Sequence, residues 1–173
     1  ACYKHSISID HLNARQVFGK IKQTKGKPFM PLPYKCEPSA PSEINVFTDG
    51  SWLHPLKQYL GIGGAGVWWP NRSVDKNNKL CKWGPVGKNE DQIAHIRQEP
   101  NGLTLYTSIG GYTGSSTRTE LAAGIIALMR HGPIHIGSDS EAFVNKANYY
   151  LGMIANKKQP KRHWKLISDG DLW

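Results

Sequence analysis

The segment from Ser115 to Tyr150 limits the folds open to this chain more than any other, because two helical patterns there flank a very short apolar run. Leu121, Ala122, Ile125, Ile126, Leu128 and Met129 recur at helical spacing, with N-cap oxygens on Ser115, Ser116 and Thr117 and a stop at Gly132-Pro133. Ile134 to Ser138 reads as a strand ending at Asp139, and Ala142, Phe143, Ala147 and Tyr150 predict a second helix. Upstream, Ile44, Val46 and Thr48 alternate with Asn45 and Phe47, which predicts a strand that stops at Asp49-Gly50. Strand, helix, strand, helix is a βαβα unit, and its right-handed crossover makes the strands of Asp49 and Asp139 parallel neighbours.

Two more strands fit between them. Ala65, Val67 and Trp69 alternate with Gly66 and Trp68, and Leu103, Leu105 and Ile109 mark a run ending near Tyr112. Tight connections would make these an antiparallel meander with the first strand. The glycines from Gly61 to Gly66 do not read as a phosphate loop, since no Lys-Ser/Thr ending and no helical pattern follow. Pro70 to Gly102 is polar and reads as an irregular insertion with a short helix near Glu90 to Arg97. Residues 1–43 read as a basic, extended leader, because Pro28, Pro31, Pro33, Pro38 and Pro41 interleave with lysines. The expected fold is α/β, with a mixed sheet of three antiparallel strands plus a parallel one and helices packed on it, spanning residues 44–173.

A chain of 173 residues can bury one substantial core. Its 22 Lys and Arg against 13 acidic residues give a net charge of +9, which suits a polyanion such as nucleic acid and equally a merely solvated basic surface. Lys157, Lys158, Lys161, Arg162 and Lys165 surround His163 and Trp164, a mixture able to neutralise phosphates and stack on a base. Cys2, Cys36 and Cys81 form no Cys-x-x-Cys pair, so an intracellular, reducing setting is expected rather than a disulfide framework. Cys2, His5, His11 and Cys36 match no compact metal pattern. No apolar run is long enough to span a bilayer.

Three acids stand out from this layout. Asp49 and Asp139 are expected at the carboxyl ends of adjacent parallel strands, and Glu120 in the first turn of the helix between them. Converging carboxylates repel unless a cation neutralises them, and magnesium suits such oxygen ligands. Each acid has a structural alternative: an Asp-Gly turn at Asp49, a capping box between Thr117 and Glu120, a helix cap at Asp139. Those alternatives do not explain why three separate elements bring acids to one edge.

Thr48-Asp49-Gly50-Ser51, Thr117-Arg118-Thr119-Glu120-Leu121-Ala122-Ala123 and Ser138-Asp139-Ser140 resemble, in order and spacing, the first three motifs of the ribonuclease H family. Gly63-Gly64-Ala65-Gly66 and Gly110-Gly111-Tyr112 resemble its second strand and the end of its third, so the likeness covers about residues 44–151. It implies cleavage of the RNA strand of RNA–DNA hybrids with two magnesium ions, manganese being a substitute, to leave 3′-hydroxyl and 5′-phosphate ends. Asp49, Glu120 and Asp139 would be the catalytic, metal-binding acids, with Gly50 beside them. Ser51 and Arg118 would lie against nucleic acid, as would Ser116 and Thr117, which stand where many members carry asparagines, and Glu141, where many carry glutamine. Lys157 to Lys165 resembles a substrate-binding protrusion of some members, and Asp171-Leu172-Trp173 the segment after it. The family's last strand, a His-bearing loop and a helix with a fourth acid are absent from the sequence. By analogy, the basic leader suggests a piece of a retroelement polyprotein with a linked reverse transcriptase. The rival expectations are a non-catalytic nucleic-acid-binding module and an integrase-type nuclease. The position of Glu120 between the two aspartates favours ribonuclease H over the latter.

Overall fold

The computed structural model describes residues 40–53, 61–75, 84–110, 114–130, 132–158, 160–162 and 166–173. Most of the leader, the three cysteines, Trp164 and Lys165 lie outside the described residues. Among the described residues eight elements follow in chain order: β1 (Val46–Leu53), β2 (Ile62–Pro70), α1 (Lys88–Ile93), β3 (His95–Glu99), β4 (Gly102–Gly110), α2 (Ser116–Leu128), β5 (Ile136–Ser138) and α3 (Glu141–Ala155). The strands form one mixed five-stranded sheet in the order β3-β4-β2-β1-β5. β1, β2, β4 and β3 pair antiparallel, while β1 and β5 are the expected parallel neighbours.

Period-two patterning decides which face is covered. Val46 and Thr48 of β1, Ala65, Val67 and Trp69 of β2, and Leu103, Leu105 and Ile109 of β4 are all buried. Ala122, Ala123, Ile126 and Ala127 of α2 complete that core. On the opposite face Phe47, Asp49, Ser51 and Tyr106 are exposed. α3 packs on α2 where Gly124 meets the Phe143 ring, and α2 ends before Gly132, whose φ of +113° suits the predicted stop.

Three expectations need correction. First, β1 does not stop at Asp49 but runs on to Leu53, because β2 pairs with it through Leu53↔Ile62; Asp49-Gly50 is strand, not turn. Second, the Pro70 to Gly102 stretch is not simply irregular. Its helix is confined to Lys88–Ile93, and His95–Glu99 adds an edge strand to β4. A buried ion pair ties this stretch down: the Arg72 guanidinium donates to both Glu90 carboxylate oxygens at 2.6 Å and to the Gly84 and Pro85 carbonyls. The fork satisfies two charges that would otherwise be costly to bury. Third, α2 is capped by Ser115, whose hydroxyl accepts the Arg118 N–H at 3.0 Å, so no Thr117–Glu120 capping box forms and Glu120 falls in the second turn.

β5 is held in register from outside the ladder. Buried Asn45 donates its side-chain amide to the Pro133 carbonyl at 3.0 Å and accepts the His135 N–H at 2.9 Å. Among the described residues no helix is long and apolar enough to cross a membrane.

Candidate metal centre and nucleic-acid surface

The β1–β5 ladder has three pairs and ends at Thr48↔Ser138, whereas β1 continues along β2. Beyond that last pair no strand among the described residues pairs with this edge of β1, and there the acids meet. Asp139 follows the last residue of β5, Asp49 follows the last paired residue of β1, and Glu120 arrives from α2. One ligand oxygen from each lies within 4.8 Å of the others.

Gly50 makes the approach of Glu120 possible. A Cβ built on Gly50 would overlap the backbone of Thr119 and Glu120, so α2 sits directly against this strand position. The close approach lets the Gly50 N–H donate to the Glu120 carboxylate, with the Ser138 hydroxyl as a second donor. Glu120 is only 6% exposed, and its Oε2 is buried without a hydrogen-bond partner. Burial pushes the Glu120 carboxyl above the ordinary glutamate range, and the charges of Asp49 and Asp139 push it further; the two donors pull against them.

Asp139 does not cap α3: Ser140 does, accepting the Phe143 N–H at 3.4 Å. Glu120 caps nothing, and Asp49 is in no turn. A buried glutamate with one orphaned oxygen, grouped with two exposed aspartates, is an all-oxygen donor set. The residues present could therefore hold a metal ion.

The sequence-predicted contact residues lie on several elements. Ser51 and Ser116 are exposed, Thr117 is half-buried, and Glu141 opens α3 beside Asp139. Arg118 is engaged inside the fold: its guanidinium grips Asp171 at 2.9 and 2.5 Å and Asp169 at 3.2 Å. Lys157, Lys158, Lys161 and Arg162 are exposed beyond the end of α3. There Tyr149, Gly152, Met153, Lys158 and Lys161 line an open groove of about 490 Å³. α3 rises about 1.5 Å per residue, which puts Gly152 roughly 17 Å along the helix from Glu141. Trp52 was not foreseen. Its indole fills a slot formed by Gly61, Gly63 and Gly114, joining the end of β1 to the residue before the α2 cap. Only the pairing of distant glycines with a bulky ring could have signalled it in the sequence.

Comparison with family models, curated proteins and solved structures finds no match to this chain.

Proposed function

We propose that this domain is a divalent-metal-dependent endonuclease of the ribonuclease H type, hydrolysing the RNA strand of RNA–DNA hybrids. The observation that carries the reading is the convergence of Asp49, Glu120 and Asp139 at the split between β1 and β5, with Glu120 buried and one of its oxygens orphaned. The sheet order, the Asp-Glu-Asp sequence of the acids and the basic balance of the chain support it.

In this reading Asp49, Glu120 and Asp139 hold magnesium, which when bound would polarise a phosphodiester and ease the ionisation of water beside it. The protein's own part is positional. Gly50 brings α2 close enough for Glu120 to reach the aspartates, while its N–H and the Ser138 hydroxyl fix that carboxylate. Ser51, two residues beyond Asp49 on β1, and Ser116 and Thr117 in the first turn of α2 would contact the 2′-hydroxyls that distinguish RNA from DNA. Lys158 and Lys161, a helix-length away, neutralise phosphates further along the duplex.

The test is cleavage of a hybrid with 5′-labelled RNA in magnesium. Products ending in 3′-hydroxyl groups, an intact DNA strand and loss of cutting in Asp49→Asn and Asp139→Asn are expected. Undiminished cutting by Asp49→Asn would sink the site assignment. A protein that binds hybrid tightly but cuts it in neither magnesium nor manganese is a binding module instead.

A further inference from the structure

The register across the sheet puts Asp49, Gly66, Tyr106 and His95 in one row, from β1 through β2 and β4 to the edge strand β3. On this open face a groove of about 260 Å³ runs alongside the acid centre, lined by Asp49, Ser51, Gly64, Gly66 and Tyr106 among others. Strands lie about 4.8 Å apart, so the wall on β4 stands roughly 10 Å from the wall on β1. Sites that enclose a whole small molecule usually start at about 300 Å³. The groove suits one unit of a larger ligand.

Nothing among the described residues requires its floor to be bare. At Gly66 a Cβ would meet nothing closer than the Asp49 carbonyl oxygen at 3.8 Å, an ordinary contact, and its φ is not positive. The contrast with Gly50 is sharp, since α2 forbids any side chain there. Strand-interior glycine weakens a sheet, and where packing does not require it, it marks close approach by something else. Tyr106 is 47% exposed at the far wall, its ring braced by His95 at a centroid distance of 5.4 Å. A braced, half-exposed aromatic is a stacking surface that tolerates any base.

We infer that this groove receives the nucleoside adjoining the cleaved phosphate of the RNA strand, its flat face against Tyr106 and its edge over Gly64 and Gly66. The inference rests on the nuclease reading above, because Asp49 belongs both to the acid centre and to the groove wall. A phosphate on the acids thus leaves its neighbouring nucleoside at the mouth of the groove.

Gly66→Val fills the floor with a side chain that strands favour, and it leaves the acids in place. It should keep a melting temperature at or above that of the unmodified chain and an unchanged manganese-induced shift in that temperature, yet raise KM for a magnesium-cleaved hybrid at least tenfold. Tyr106→Ala should raise KM about tenfold, within the range for loss of one aromatic–base stack, and Tyr106→Phe less than twofold. If the unmodified chain cuts hybrid and Gly66→Val cuts it with unchanged KM, the groove assignment is wrong and the nuclease reading stands. A Gly66→Val protein that has also lost its manganese shift would place the damage at the acids and overturn the groove assignment too. If the unmodified chain neither binds nor cuts hybrid, the nuclease reading fails and the groove assignment falls with it.

Discussion

Gly50→Ala is the substitution whose cost can be worked most directly from the structure. The new methyl would stand 2.5 Å from the Thr119 carbonyl carbon, 2.8 Å from the Glu120 Cα and against the Glu120 nitrogen. These are helix backbone atoms, so no side chain can swing aside. Carbon–carbon contacts settle near 3.5–4.0 Å, and α2 must therefore retreat by about 1 Å. Forcing one extra methyl into a packed core costs about 1–3 kcal/mol, and a rigid helix puts this case at about 3. For a domain of this size that is a fall of roughly 10 °C in melting temperature. The retreat also withdraws Glu120 from Asp49 and Asp139, and under the proposed nuclease function a misplacement of about 1 Å can cost about 100-fold in rate. Scanning calorimetry and hybrid-cleavage kinetics on the same preparation measure both effects. A Gly50→Ala protein that melts within about 2 °C of the unmodified chain and keeps its rate would refute the claim that α2 rests on this position.

The acid cluster makes a pH prediction. Because the folded Glu120 carboxyl sits above its ordinary value of 4.5, its share of stability is present below that value and is lost as pH rises through the folded one. Metal-free protein should therefore lose melting temperature as pH climbs from about 4.5, and Glu120→Gln should flatten that decline; parallel profiles would contradict the burial argument. Glu90→Gln strands the buried Arg72 charge and should cost about 3–5 kcal/mol in urea unfolding, while Arg72→Met with Glu90→Leu should recover much of it. Asp171 is held below its ordinary value of 3.8, chiefly by the hydrogen bond from Arg118, so its contribution is present above that value and disappears as pH falls through the folded one. The Asp171 side chain is 62% exposed, which keeps the global effect small. Asp171→Asn should instead speed amide exchange over residues 166–173, and unchanged exchange would show that the Arg118–Asp169 pair and Trp173, packed on Phe143 and Tyr150, hold the segment without Asp171.

Where one physical cause dominated, the sequence was legible. Alternation of Ala65, Val67 and Trp69 marked β2 because one face of that strand is buried and the other is not. The parallel pairing of β1 with β5 followed from chain chirality and a helix of crossover length. β3 escaped notice because edge strands carry polar residues, and only Ile96 in His95–Glu99 is apolar. Asp49-Gly50 resembled a turn because local propensity is silent about what lies above a strand. Gly50 serves α2, which comes from 70 residues further along the chain, and no window of neighbouring residues carries that information. The order of the acids was readable, whereas the burial of Glu120, its orphaned oxygen and the confinement of Arg118 depend on packing.

The shortness of β5 links the fold to the chemistry. Had the ladder continued past Thr48↔Ser138, Asp49 and Asp139 would have become ladder partners, with the edge beside Gly50 covered by backbone. Stopping there frees the Gly50 N–H for Glu120 and opens the edge on which the acids converge. The arrangement is costly without a cation, since one carboxylate is buried against two others. Whatever stabilises the ionised cluster must then stabilise the fold, by an amount that grows with the concentration of free metal over its dissociation constant. Glu120 ties the two together: it is buried where α2 meets the sheet and is one of the three acids that could hold the ion. Metal affinity and melting temperature should accordingly fall together in variants that move α2, such as Gly50→Ala, and separate in variants of the open face, such as Gly66→Val.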